Sequence, residues 1–225
     1  VAEEGIEKCK KLKPSPFYNP KTVEMITIMN YSDHLEKINE CDWIVEAISE
    51  RIDWKQDLYN KIIPHLNDDC IVTSNTSGLS LSDLSKGLPA DFLERFFITH
   101  FFNPPRYMKL VEIISSEVTK SEMVNYTDYF LNEVLGKNVV HAKDTPNFIA
   151  NRIGVYGMMV TLHESQKRNL SIEDVDSLTG TLIGRPKSAT FRTADVVGLD
   201  TMCFVSKTAY DKCTDDPERE IFQLP

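Results

Sequence analysis

Glycine is scarce where a phosphate-cradling turn needs it. The 225 residues include nine glycines, none of them arranged as Gly-x-Gly-x-x-Gly, and after Gly5 the next is Gly78. A strand–turn–helix junction whose amides close on a diphosphate is therefore missing from that interval. The acidic residue expected about 20 residues beyond such a turn has no candidate either. Cysteine is thin and scattered: Cys9, Cys41, Cys70, Cys203 and Cys213 are odd in number and form no Cys-x-x-Cys or Cys/His cluster. That spacing speaks against a zinc site or a disulfide framework and for a reducing, cytoplasmic compartment. No apolar run approaches the roughly 20 residues of a membrane span, and no signal peptide is read at the start. Positive charge is in deficit. A net charge of −9 argues against a general nucleic-acid binder.

What is present is enough apolar material for a sizeable core, 41% hydrophobic against 26% charged residues, in one large or two small domains. Residues 3–13 read as a helix with lysines at its end, and Pro14, Pro16 and Pro20 break the chain after it. Residues 23–28 alternate as a short strand, and 31–38 read as a helical turn or two. Residues 42–47 form a mostly apolar run, the mark of a strand buried on both faces. Helical spacing over 53–64, a strand at 70–74, a helix at 81–88 and a strand at 96–99 follow. Such alternation predicts βαβ crossovers and a parallel sheet. Strands at 109–114 and 139–142 flank a helix over 120–135 that ends at Gly136. Lys143-Asp-Thr-Pro146 marks a domain boundary, beyond which strand signals cease. Helices are predicted over 148–167 and 171–182, the second opened by a Ser171/Asp174 capping box.

The chemistry concentrates in residues 95–114, Arg-Phe-Phe-Ile-Thr-His-Phe-Phe-Asn-Pro-Pro-Arg-Tyr-Met-Lys-Leu-Val-Glu-Ile-Ile. Pro104 and Pro105 cannot donate hydrogen bonds and stiffen a turn between two strands. His100 then falls at a strand end, where ligands of open α/β sheets bind, and Glu112 falls on the strand after the turn. A carboxylate in reach of an imidazole fixes its tautomer, the equipment of a general base. Taken alone, His100 also reads as a satisfied core residue and Glu112 as a solvated charge.

The stretch as a whole resembles the His-Phe-Phe-Asn-Pro signature of the L-3-hydroxyacyl-CoA dehydrogenases, with Met-Lys-Leu-Val-Glu following at the family's spacing. Ser74-Asn-Thr-Ser77, Glu46-Ala-Ile-Ser-Glu50 with Lys55 downstream, and Lys143-Asp-Thr-Pro-Asn-Phe-Ile-Ala-Asn-Arg152 resemble further family segments. The resemblance implies an α/β fold: a Rossmann-type NAD-binding domain over 1–145, truncated at its N-terminus, and an all-α substrate and dimerisation domain over 146–225. It implies oxidation of an L-3-hydroxyacyl-CoA to the 3-ketoacyl-CoA with NAD as hydride acceptor, in fatty-acid β-oxidation, alone or fused to an enoyl-CoA hydratase. His100 is then the base, Glu112 orients it, and Ser77 and Asn151 hold the substrate oxygen. Ala47, Glu50, Lys55, Asn75, Ser77 and Asn103 lie toward the cofactor. Coenzyme A contacts are implied near the first helix, and a homodimer through the helical domain. Asn147 stands where the family carries glycine, a place that asparagine tolerates if the backbone is left-handed. Asp195-Val-Val-Gly-Leu-Asp200 resembles a family segment and reads as structural.

With the glycine turn absent, the chain is expected to be a fragment that enters the fold after its second strand and is clipped at its C-terminus too, with residues 43–47 left as an apolar sheet edge and NAD affinity weakened. Two other functions stay open: a related hydroxyacid or sugar-acid dehydrogenase on the same scaffold, and a fold-retaining, non-catalytic protein of crystallin type.

Overall fold

In the computed structural model, which describes residues 2–224, five strands lie side by side in chain order. They are β1 (Trp43–Glu46), β2 (Ile71–Ser74), β3 (Phe96–Phe101), β4 (Leu110–Ile114) and β5 (Asn138–His141). The β1–β2, β2–β3 and β4–β5 pairs are parallel, and β3–β4 is antiparallel across the proline turn. β2 is buried throughout and β3 nearly so, which is why both read as continuous apolar runs. Successive side chains leave opposite faces. Phe96 and Ile98 join Leu58, Tyr59, Leu84, Phe92 and Phe148 on one side, whereas Phe97 joins Val111, Ile113 and Leu131 on the other.

Helices α1 (Ala2–Lys11) and α2 (Tyr31–His34) precede the sheet. Crossovers run through α3 (Ile52–Ile62) between β1 and β2, through α4 (Leu81–Leu84) and α5 (Ala90–Leu93) between β2 and β3, and through α6 (Ser121–Tyr129) between β4 and β5. The last turn of α6 widens into a π-helix over Phe130–Val134, and Gly136 follows at φ 64, the left-handed stop expected of that glycine. The rest is helical: α7 (Ala150–Lys167), α8 (Ile172–Thr179), α9 (Phe191–Val197) and α10 (Leu199–Lys212). Val155, Met159, Val205, Ala209 and Phe222 form a separate core there. Ser171 and Asp174 close the capping box on α8. Asp176 accepts from the amides of Thr190, Phe191 and Arg192 and so caps α9. Among the described residues no helix is long and apolar enough to cross a membrane.

Three sequence expectations need correction. Residues 23–28 form no strand. Asn19 accepts from the amide of Lys21, Pro20 opens a 3-10 turn over Pro20–Met25, and the chain beyond it is exposed. Alternation without a neighbouring strand to pair with does not make a ladder. β1 is not buried on both faces, since it is a sheet edge among the described residues and Val45 is 41% exposed. The helix read over 81–88 stops after Leu84, and Gly87 at φ 76 turns the chain.

The hinge between sheet and helices is held by Asn147. It is fully buried at φ 62, and its Nδ2 donates to the Val205 carbonyl at 2.8 Å. Phe148, also left-handed at φ 50, drives its ring into the sheet core. Replacing Asn147 by alanine removes the bond to α10, at about 1 kcal/mol, and gives up asparagine's tolerance of the left-handed backbone, at about 1 kcal/mol more. Asn147→Ala is expected to lose about 2 kcal/mol in urea denaturation. Asn147→Gly should recover about half of that loss, and equal losses contradict the backbone assignment.

Candidate active site

The antiparallel register sets His100 directly opposite Glu112 on β3 and β4. Both are buried, and His100 Nδ1 lies 2.8 Å from Glu112 Oε2. The other carboxylate oxygen, Oε1, accepts the amides of Ile149 and Ala150 at 3.0 and 2.8 Å, where α7 begins. Burial alone raises the pKa of Glu112. The hydrogen bond from His100, the amide of Ala150, the charge of His100 and the amide of Ile149 outweigh it and hold the carboxyl below its ordinary value. An ionised carboxylate only accepts, so Nδ1 carries the proton. Nε2 has no partner among the described residues, and the ring is packed between Phe102 and Phe148.

A second carboxylate pair organises the end of β1. Glu46, buried, takes Lys55 Nζ at 2.6 Å and the Ile48 amide at 2.7 Å on one oxygen, and the hydroxyls of Tyr59 and Ser74 at 2.7 Å on the other. Burial and then the charge of Glu46 push the Tyr59 hydroxyl far above its ordinary value, so it remains a donor. Glu50 Oε1 accepts the Thr76 hydroxyl at 2.5 Å and the amides of Ser77 and Gly78 at 2.9 and 3.0 Å, and its Oε2 lies 3.6 Å from Lys55. The loop after β2 is thereby pinned to the loop after β1, both at the carboxyl ends of their strands.

Between these loops and α10 lies a cavity of about 620 Å³, lined by Ala47, Glu50, Asn75, Ser77 and Gly78 from the sheet and by Asp200, Thr201, Phe204 and Val205 from α10. Of the residues singled out from sequence, Ala47, Glu50, Asn75 and Ser77 thus share one wall. His100, Glu112 and Asn151 lie outside that wall but are tied to it. Asn75 Oδ1 accepts the amide of Phe101, next to His100, and Asn151 Nδ2 donates to the Ser77 carbonyl at 3.3 Å. Two residues are not brought there. Lys55 is 1% exposed and turns inward onto Glu46, so it reaches the cavity only through Glu50. Asn103 is exposed at the proline turn, outside the wall. Glu46, Asp200 and Phe204 were not singled out for a role. Glu46 and Asp200 stand inside recognised segments, whereas nothing local marks Phe204.

The model of the 3-hydroxyacyl-CoA dehydrogenase NAD binding domain matches residues 2–145, and that of the 3-hydroxyacyl-CoA dehydrogenase C-terminal domain matches residues 148–223. The chain belongs to the 3-hydroxyacyl-CoA dehydrogenase family. Among family relatives, a probable 3-hydroxyacyl-CoA dehydrogenase of Bacillus subtilis (strain 168) is 47% identical over 225 residues, which are 100% of this chain and 28% of that protein. Another, from Deinococcus radiodurans, is 40% identical over 224 residues, 100% of this chain and 64% of its own length. The chain therefore spans less than two thirds of these relatives. Of solved family folds, the (S)-3-hydroxybutyryl-CoA dehydrogenase PaaH1 from Ralstonia eutropha superposes with a TM-score of 0.77 at 26% identity, covering 96% of this chain and 74% of that one. FadB2 of M. tuberculosis, at 23% identity and a TM-score of 0.81 over 100% of this chain and 74% of its own, shares the fold.

In this family member the depressed pKa of Glu112 makes stability depend on acid. Its contribution is complete above the ordinary glutamate value of 4.5 and is lost as pH falls through the lower folded-state value. The unfolding free energy is expected to decline more steeply with falling pH below about 4.5 in the native chain than in Glu112→Gln. Parallel declines in a pH series of urea melts contradict an ionised Glu112 in the fold.

Proposed function

We propose that this chain carries the catalytic centre of an oxidoreductase that converts an L-3-hydroxyacyl-CoA to the 3-ketoacyl-CoA with NAD, in fatty-acid oxidation. The observation that carries the reading is the buried His100–Glu112 pair at 2.8 Å, tied through Asn75 and Ser77 to a cavity at the strand ends. Family membership and the names of the relatives support it. A putative fatty acid oxidation complex trifunctional enzyme of Rickettsia prowazekii, 39% identical over 92% of this chain, supports a larger multifunctional polypeptide.

The cavity suits the nicotinamide half of the cofactor. Ala47 and Gly78 keep two positions of its wall small, and Glu50 and Ser77 offer polar groups in it. The described residues offer no glycine turn for the pyrophosphate, so the fit extends to that half alone. Held beside Ala47, Glu50, Asn75 and Ser77, NAD would supply the acceptor for the hydride of carbon 3. His100 Nε2 takes the hydroxyl proton. Glu112 holds Nδ1–H, fixes the plane of the ring and stabilises the imidazolium that forms. Ser77 and Asn151 steady the substrate oxygen, and Lys55 acts through Glu50.

The same proposal divides the chain into a nucleotide domain over 1–145 and a helical domain over 146–225. It places the protein in the cytoplasm, a compartment that suits the free cysteines, and pairs two copies through the helical domain. Leu182, Ile183, Val196 and Val197, 54–79% exposed, supply the apolar surface for that pairing. Val196→Asp is expected to shift the sedimentation coefficient toward that of a monomer, and an unchanged coefficient contradicts this interface. For the chemistry, NADH oxidation with acetoacetyl-CoA should fall about a hundredfold or more in His100→Ala while thermal unfolding stays cooperative. Undiminished turnover, or turnover confined to a free hydroxyacid, overturns the reading.

A further inference from the structure

The Asp195–Asp200 segment, structural by its sequence, delivers a charge to the cavity. Asp200 and Thr201 stand in the first turn of α10 and in the same wall as Glu50. The two carboxylates differ in state. Glu50 accepts three hydrogen bonds and faces Lys55, whereas Asp200 has no hydrogen bond or ion pair among the described residues. No lysine or arginine lines the cavity. Lys55, the nearby cation of the sheet, is held inward by Glu46. Asp200 itself is exposed. Gly198, which precedes α10, has a φ of +103, a backbone that glycine adopts without strain.

A carboxylate with no cationic partner on a cavity wall, even one exposed at a helix start, favours a cationic ligand over its neutral counterpart, by Coulomb attraction that solvent and salt weaken. The proposed cofactor offers that pair: the oxidised nicotinamide ring carries a positive charge and the reduced ring carries none. We propose that Asp200 is a specificity-determining residue that makes the cavity prefer the oxidised nicotinamide to the reduced one. This rests on the nicotinamide reading of the cavity. It gives the helical domain a part in cofactor selection, since the discriminating charge comes from α10. Preference for the oxidised form also promotes release of the reduced form after hydride transfer.

The test uses nicotinamide mononucleotide, which carries the ring and ribose without the pyrophosphate. Its oxidised and reduced forms are titrated into the 225-residue chain and followed by NMR shift changes. The native chain should bind the oxidised form more tightly. Asp200→Asn should weaken the oxidised form about fivefold and leave the reduced form unchanged, whereas Asp200→Glu should keep the preference. The preference should narrow as ionic strength rises. If Asp200→Asn shifts both forms equally or neither, Asp200 serves α10 alone and the inference fails while the cavity assignment stands. If the native chain binds neither form, the nicotinamide reading itself fails.

Discussion

The Glu112 carboxylate joins the two halves of the molecule. One oxygen meets His100 on the neighbouring strand and the other meets two amides at the start of α7. A buried carboxylate is costly unless its lone pairs are satisfied. Here the two satisfying groups come from different units, the imidazole from the sheet and the amides from the helical domain. The orientation of the His100 ring and the seating of the helical domain therefore depend on one ionised group. The amides add the favourable end of a helix dipole to a negative charge, so the helix start supports the acid while the acid orients the ring.

Glu46 and Glu50 repeat this device at the other side of the site. Glu46 gathers Lys55, Tyr59, Ser74 and the Ile48 amide below the end of β1, and Glu50 ties down the loop of Thr76, Ser77 and Gly78 above it. Catalytic geometry rests on side chains whose positions are over-determined by their surroundings. Each of these acids is fixed by several bonds. Asp200, exposed and without such partners among the described residues, is the exception, and its unpaired charge suits the different use proposed for it.

Much of this was legible in the residues. The Phe-rich run, the tandem prolines and the spacing to Glu112 announced two strands meeting across a turn, and the pairing of His100 with Glu112 followed from that. The ties from Glu112 to Ile149 and Ala150 were not legible, because they join elements far apart in the chain and depend on where α7 docks. Lys55 shows the same limit: its residue type was readable, but its inward direction follows from the burial of Glu46. Residues 23–28 show the opposite failure, since alternation is a local signal and a strand needs a neighbour. Asn147 was read correctly because the demand for positive φ is itself local. Asp200 sat in a recognised segment, yet whether a helix-start acid faces a cavity is a tertiary fact.

The most direct measurement of the central claim is the 15N–1H correlation spectrum of the His100 ring. With Glu112 accepting from Nδ1, the neutral imidazole should carry its proton on Nδ1 and leave Nε2 bare. A proton on Nε2 with Nδ1 bare would contradict the account, because the ring would then be neither oriented by Glu112 nor able to take a proton from an alcohol.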